Sequence, residues 1–373
     1  MPLLSLPAVL SPAATFPSAA LAPLAALTIA VALDLAFGEP PARVHPVALF
    51  GSVAGRFDRP WSRPRPVGVA VAVVFPIGAA SAAAGSVVAA AVFASSVTPL
   101  LSVAVAGVAL SVTVSLRMLL ATAAEVVDLT ETDPGAARAS LRALAGRDPA
   151  ALSPADLRSA TVESAAENLA DGFVAPLAGF ALGVTAWFAA EAALGSPVGG
   201  LGGALAPAAG VAAAVWVKAV NTLDSMLGYR SKPVGWASAR LDDAVMFVPA
   251  RATAGCLAVA AGSLAALRRG ASWAREPGSP NSGWPMATAA AALDARLAKP
   301  DHYVLNPDAS PPSADTARSG VRLVGVAGGV AVALVAGWVV TVGWLSTAGG
   351  AVGWLSTAAG AVGWLSTAAG VVG

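Results

Sequence analysis

The sequence predicts an all-α fold: a polytopic integral membrane protein with amphipathic cytoplasmic helices and polar cytoplasmic loops. Three observations carry this. Hydrophobic residues fill 57% of the 373 positions and mean hydropathy is +0.73, whereas soluble domains run at about 45–50% apolar. Charged residues are only 12%, against about 25% in soluble domains. Apolar runs long enough to cross roughly 30 Å of hydrocarbon as a helix recur along the chain. The same composition excludes other classes. A net charge of +1 gives no bulk attraction for nucleic acid. One cysteine, Cys256, permits no disulfide within the chain and no thiolate metal site. His45 and His302 are too far apart in sequence to form a zinc motif.

Residues 1–18 carry no charge and several prolines. They lack the basic start of a signal peptide and read as an irregular lead-in. Residues 19–37 form the first span. A Pro- and Arg-rich loop, 38–66, follows, and its arginines place it in the cytoplasm. Residues 67–95 and 97–120 read as a hairpin of two spans, with Pro76 as a kink in the first. From 121 to 168 charges recur among alanine and leucine, as in amphipathic helices outside the bilayer. Ser153 and Pro154 mark a helix start as N-cap and first residue. Residues 172–194 and 204–220 are a second hairpin. Residues 244–267 are apolar but hold Pro249 and Arg251, which favours a re-entrant segment. Residues 268–320 are polar, and 321–345 are the last span. The tail repeats VGWLSTAGGA, VGWLSTAAGA and VGWLSTAAGV from Val342 to Val371; low-complexity drift explains it without a function. Hairpin parity brings 38–66, 121–171, 221–243 and 268–320 to the cytoplasmic side.

Charge is scarce, so its clusters mark candidate sites. Glu163, Glu167 and Asp171 are spaced i, i+4, i+8 on one predicted helix. Carboxylates at that spacing repel. Either a Mg²⁺ ion answers them, or the face is solvated. Lys218, Asn221, Thr222 and Ser225 share a helical face just past a span. Such donors suit a phosphate, and a lysine anchoring the helix end at the interface is the competing account. Asp224 lies beside them. Ser238, Arg240, Asp242 and Asp243 add paired carboxylates, a weak metal signal that a salt-bridged turn also explains. Arg251, inside an apolar stretch, needs a partner, and Asp242 or Asp243 is the nearest in sequence. Ser279, Asn281 and Ser282 lie in a turn, SPNSGWP, whose N–H groups suit an anion. Asp34, Glu39, Arg43 and His45 collect where the first span ends, with His45 the first residue to consider for acid–base work.

Taken in order, DLxFGEPPxRxHPV (34–47), ESxxENLxDGxxAPL (163–177), KAVNTLDSMxGY (218–229), SARLDDxxxxxPAR (238–251) and SPNSGxP (279–285) resemble the CobD/CbiB family of cobalamin biosynthesis, adenosylcobinamide-phosphate synthase. The match covers roughly residues 30–305. The resemblance implies a cell-membrane enzyme, with its active site facing the cytoplasm, that joins adenosylcobyric acid to aminopropanol or aminopropanol phosphate by an amide bond. It implies ATP and Mg²⁺, with the corrinoid as substrate rather than prosthetic group. The partners it implies are these substrates, the lipid bilayer and other membrane enzymes of the pathway, and no nucleic acid. Residues 1–320 are then one membrane-embedded catalytic domain, and 321–373 a C-terminal span with its repeat tail. The resemblance carries catalytic roles to Glu163, Glu167, Asp171, Lys218, Asp224, Arg240 and Arg251. It carries substrate or phosphate contacts to His45, Asn168, Asn221, Thr222, Ser225, Tyr229, Ser238, Ser279, Asn281 and Ser282. Metal ligation falls to Glu167, Asp171, Asp242 and Asp243.

Three departures from the family pattern stand out. Met246 replaces a usual asparagine, 287–300 lacks a usual glycine turn, and the decapeptide tail is foreign to the pattern. Two other functions fit the composition: a transporter or channel with buried charges, and a non-catalytic scaffold for corrinoid enzymes. Polar residues gathered at span ends rather than at mid-span argue against a transport path.

Overall fold

Asp34 shows how the bundle is pinned. It lies near the end of α1 (Ser18–Phe37), and its Oδ2 accepts the backbone N–H groups of Leu116 and Arg117, each at 3.2 Å. These begin α5 (Leu116–Thr132). Arg117 Nη1 donates in return to the carbonyls of Leu35 and Ala36 at the end of α1. Each helix end thus satisfies orphan backbone groups of the other. The computed structural model describes residues 18–93, 100–146, 148–194, 201–228 and 232–348.

Between those two helices lie α2 (Pro46–Ala54), α3 (Pro64–Phe93) and α4 (Leu100–Ser111). After them come α6 (Pro134–Leu141), α7 (Pro154–Leu169), α8 (Ala175–Leu194) and α9 (Gly202–Leu227). Then follow α10 (Trp236–Val245), α11 (Phe247–Ala260), α12 (Leu264–Trp273), α13 (Gly283–Leu293) and α14 (Ala314–Ala348). Among the described residues, six helical segments are long and apolar enough to cross a membrane: α1, α3, α4 with α5, α7 with α8, α9, and α14. The protein is a polytopic all-α membrane protein. Pro76 sits inside α3 as expected. Ser153 caps α7 in a reciprocal capping box with Asp156, and Pro154 follows it.

The pair α8–α9 is drawn together by small residues. A Cβ on Gly183 would stand 2.3 Å from the Ala209 carbonyl oxygen, and one on Gly179 3.1 Å from that of Ala213. Close backbone approach of this kind is how helices pack where lipid removes the hydrophobic drive. A single π-helical turn, Ala170–Val174, joins α7 to α8, so the two run on as one rod.

Segments far apart in sequence meet at one side of the span bundle. Lys232 pairs with Asp58 at 2.7 Å. Arg158 donates to Pro312 O at 2.9 Å, Ala298 N to Ser159 Oγ at 2.8 Å, and Asn281 Nδ2 to Asp243 O at 2.8 Å. At the opposite end, Gly343 of α14 packs on Ala20 of α1.

Three sequence expectations change. The predicted span 97–120 breaks after Ser111, and its last residues start α5 because Asp34 caps them. The apolar segment 244–267, expected to be re-entrant, folds as two short helices, α11 and α12, and α10 and α11 bend by 45°. At 1.5 Å per residue the 14 residues of α11 reach about 21 Å, short of the roughly 30 Å core. Arg269 of α12 then returns to the Ala291 carbonyl of α13, which packs on α7. The last span begins earlier than 321, at Ala314. Finally, the stretch without its glycine turn, 287–300, completes α13 and then enters an antiparallel ribbon, β1 (Leu297–Lys299) with β2 (Tyr303–Leu305). Its turns use Asp294, Asp301 and Asn306 at φ 47°, 61° and 51°, residue types that tolerate left-handed backbone. The repeat tail lies outside the described residues except for its start in α14.

Candidate active site

The last turns of α9 carry Lys218, Asn221, Thr222 and Asp224 between two cavities. The first, of about 610 Å³, is lined by Glu39, His45, Thr113, Lys218 and Thr222, among others. The second, of about 930 Å³, is lined by Asp224, Asp242 and Asp243 together with Arg65, Lys232, Arg240, Arg275 and Ser279. Both volumes fall in the range of about 300–1,000 Å³ usual for small-ligand sites.

Asp171 and Asn221 stand between them. The Asp171 carboxylate accepts from Asn221 and faces the Lys218 ammonium. Asn221 Nδ2 also reaches Asp242 Oδ1, at 3.4 Å. One amide therefore bridges carboxylates from two chain segments. Asp242 also lies in the field of Asp171, Asp224 and Asp243. Lys218 is the nearby cation, drawn by Asp171 and by Glu39. The π turn decides the position of Asp171, because an extra residue per turn rotates everything beyond it relative to α7. The walls are tight here. A Cβ on Gly235 would stand 1.7 Å from Leu227 O, and one on Gly68 2.0 Å from Val234 O, so glycine alone lets these backbones close the second cavity.

Arg251 is answered differently from the sequence expectation. Its partners are Asn281 Oδ1 at 3.1 Å and Phe247 O at 2.7 Å, with its guanidinium over the Phe247 and Trp284 rings, rather than Asp242 or Asp243. Asn281 in turn holds the Asp243 carbonyl. The turn after residue 278 is thereby tied to α10 and α11. Ser279 Oγ accepts the Asn281 and Ser282 N–H groups at 3.2 and 3.3 Å, so this loop is organised by its own hydroxyl.

Glu163 does not join the cluster. It is fully buried and accepts Ser159 Oγ at 2.8 Å and Tyr303 OH at 2.7 Å. Those bonds hold the β1–β2 ribbon against α7. Glu167 is half-buried on α7, and Asn168 next to it donates to Leu144 O at 3.0 Å. The Thr222, Ser225 and Ser238 hydroxyls each bond a carbonyl within one turn, and Thr222 also lines the first cavity. Tyr229 lies outside the described residues. Among those residues no three His, Cys, Asp or Glu side chains converge tightly enough to hold a metal ion alone. Met246 is buried with Ala170, Ala175 and Val217 beneath the cluster. Sequence reasoning missed Arg65, Lys232 and Arg275. Lys232 lies in the polar stretch 218–251, but no spacing assigns it or the two arginines a role; the fold brings them to the cavity of Asp224.

Residues 27–324 match the family of CobD/Cbib protein. The chain belongs to the CobD/CbiB family. Curated relatives agree along most of their length. The chain is 33% identical to the probable cobalamin biosynthesis protein CobD of Methanothrix thermoacetophila over 79% of this chain and 89% of that one. It is 37% identical to the cobalamin biosynthesis protein CobD of Mycobacterium tuberculosis, over 73% and 79%. It is 35% identical to that of Geobacter metallireducens, over 76% and 84%. No solved structure matches the chain. The CobD/CbiB match takes in both cavities and stops within α14, before the decapeptide repeats.

Proposed function

We propose that this protein is an ATP-dependent amide ligase of cobalamin biosynthesis, joining adenosylcobyric acid to aminopropanol or its phosphate. The observation that carries the reading is convergence. Residues from all five motif stretches surround the last turns of α9: His45, Asp171, Lys218, Asn221, Asp224, Arg240, Asp242 and Ser279.

The residues fit a magnesium nucleotide. Mg²⁺ keeps much of its water and takes one or two carboxylates plus substrate phosphates rather than a full protein cage. Asp224, Asp242 and Asp243 supply paired carboxylates in the second cavity, and Arg65, Lys232, Arg240 and Arg275 supply cations for phosphate oxygens. When bound, ATP with Mg²⁺ supplies the phosphoryl group that activates the corrin carboxylate for attack by the amine. The chain's own part is to position and to balance charge. Lys218 sits between the cavities, where it offsets charge on a transferring phosphoryl group. Arg251 and Asn281 fix the loop that closes the nucleotide side. The apolar bundle walls keep water from the activated acid.

The Arg-rich loop before α3 supports a site on the cytoplasmic side of the cell membrane. Single cysteines at Ser62 and Ser282, in a Cys256-free background, test this. Both are expected to label from the cytoplasm, and labelling from opposite sides would break the single-site picture. The activity test uses the purified full chain in lipid. ATP consumption is expected only when corrinoid acid and amine are both present. Consumption with neither, or none with both, would overturn the ligase reading.

A further inference from the structure

His45 is the N-cap of α2, and its Nδ1 accepts the Val47 backbone N–H at 3.1 Å. A nitrogen that accepts this bond carries no proton, so the neutral ring holds its proton on Nε2. The backbone thereby sets the tautomer. The residue is 6% exposed, and Nε2 is buried with no hydrogen-bond partner. Glu39 Oε2 lies 3.9 Å from it, beyond hydrogen-bonding range. A buried donor left without an acceptor is uncommon and costly in a folded protein, which points to an acceptor that arrives from outside the chain. Such an acceptor has room, because His45 lines the same cavity as Lys218.

The charged groups facing His45 are Glu39 and Lys218. Burial, the largest influence, pushes the imidazole below its ordinary value. Glu39 opposes that shift and Lys218 adds to it. Protonation would also have to occur on Nδ1, breaking the cap to Val47. The ring therefore stays a neutral donor at neutral pH, and its contribution to folding is lost only as pH falls below the ordinary imidazole range.

We propose that the Nε2–H of neutral His45 and the Lys218 ammonium form an oxyanion subsite in the first cavity, taking a phosphoryl or carboxylate oxygen of a substrate. The inference rests on reading this cavity as part of the ligase site. It differs from an acid–base role for His45, because an Nε2 that already carries its proton donates a hydrogen bond and accepts no proton.

The test uses the full chain in lipid nanodiscs with ¹⁵N-labelled histidine. There are two histidines, so His302→Gln assigns both. The expected His45 spectrum has an unprotonated Nδ1 and a protonated Nε2. Inorganic pyrophosphate and adenosylcobyric acid are added separately. A shift of the His45 Nε2–H resonance with pyrophosphate identifies a phosphoryl oxygen, and one with the corrinoid acid identifies a carboxylate. No shift with either, or the opposite tautomer, overturns the proposal.

A second arm separates donor from cap. Asparagine at 45 reproduces the capping acceptor but not Nε2, whereas glutamine reaches the Nε2 position but not the cap. His45→Asn should melt like wild type yet lose about 100-fold in kcat, the scale of one oxyanion donor. His45→Gln should melt lower yet keep more of its turnover. Full turnover in His45→Asn would leave His45 a cap alone. The spectroscopic arm needs no turnover, so failure of the ligase reading shows separately, as a wild-type protein that binds an oxyanion but makes no amide.

Discussion

Glu163 and Asp171 lie on one helical rod, and the structure gives them opposite surroundings. Glu163 is sealed, with its oxygens taken by Ser159 and Tyr303, and it fastens a ribbon to α7. Asp171 sits beside Lys218 and Asn221, in the field of Asp224 and Asp242. A buried carboxylate with its hydrogen bonds made contributes to stability. Carboxylates crowded together are held at a cost, and that cost is what function explains. The difference between an anchor and a site thus lies in the partners rather than in the residue type.

The sharpest break in this comparison is expected at Lys218. Lys218→Met and Lys218→Arg should both lose about 100-fold in turnover, roughly 2–3 kcal/mol of a charge-assisted contact, with membrane yield unchanged. Near-normal activity with arginine, and failure of methionine only in yield, would make Lys218 an interface anchor. Next comes the anchor itself. Glu163→Ala should lower unfolding stability by about 1–3 kcal/mol, because Ser159 and Tyr303 lose their acceptor. Turnover per folded molecule should stay within a few-fold. A normal melting curve with lost turnover would move Glu163 to the side of the site.

Asp242→Asn tests the crowding. It should raise the Mg²⁺ concentration needed for turnover by about tenfold and leave the protein as stable as before or more so, since like charges are relieved. An unchanged Mg²⁺ titration would separate Asp242 from the ion. The smallest effect is expected at Asp294. Asp294→Gly removes a left-handed backbone penalty but adds chain entropy, so stability should change by less than about 1 kcal/mol. A larger loss would show that Asp294 matters through Arg269 and Asn306, which lie 3.8 and 3.5 Å from its carboxylate.

Much of this was legible in the sequence. Long apolar runs depend on composition alone, so five of the predicted spans fall on helices, and those at 19–37 and 67–95 keep nearly the expected ends. The capping box at Ser153 is local chemistry and was equally readable. The break after Ser111 was not, because its cause is Asp34 from another helix. The acidic i, i+4, i+8 series shares a face only along an unbroken α-helix; Glu163 and Glu167 lie within α7, whereas Asp171 falls in the π turn beyond it, which no local signal announces. Lys218, Asn221 and Asp242 could be singled out because scarce charge in an apolar chain is conspicuous. Arg251, in an apolar stretch, needs a partner, but proximity in sequence points to Asp242 or Asp243 and proximity in space does not. Asn281, from a turn that binds its own backbone, holds that place.

The π turn at Ala170–Val174 also bears on how such a site changes over descent. A π turn is a helix carrying one residue more than its hydrogen-bond ladder requires. Deleting Ala170, Gly172, Phe173 or Val174 would restore an ordinary helix and rotate the two halves of the rod against each other by about 100°. Asp171 would swing away from Lys218 while every side chain of the cluster remained encoded. Across diverging copies of this gene, a loss of three nucleotides here would silence the cluster as fully as replacing its aspartates. Comparing residue identities alone would overlook it, so the number of residues between Glu163 and Ala175 is as informative as their types.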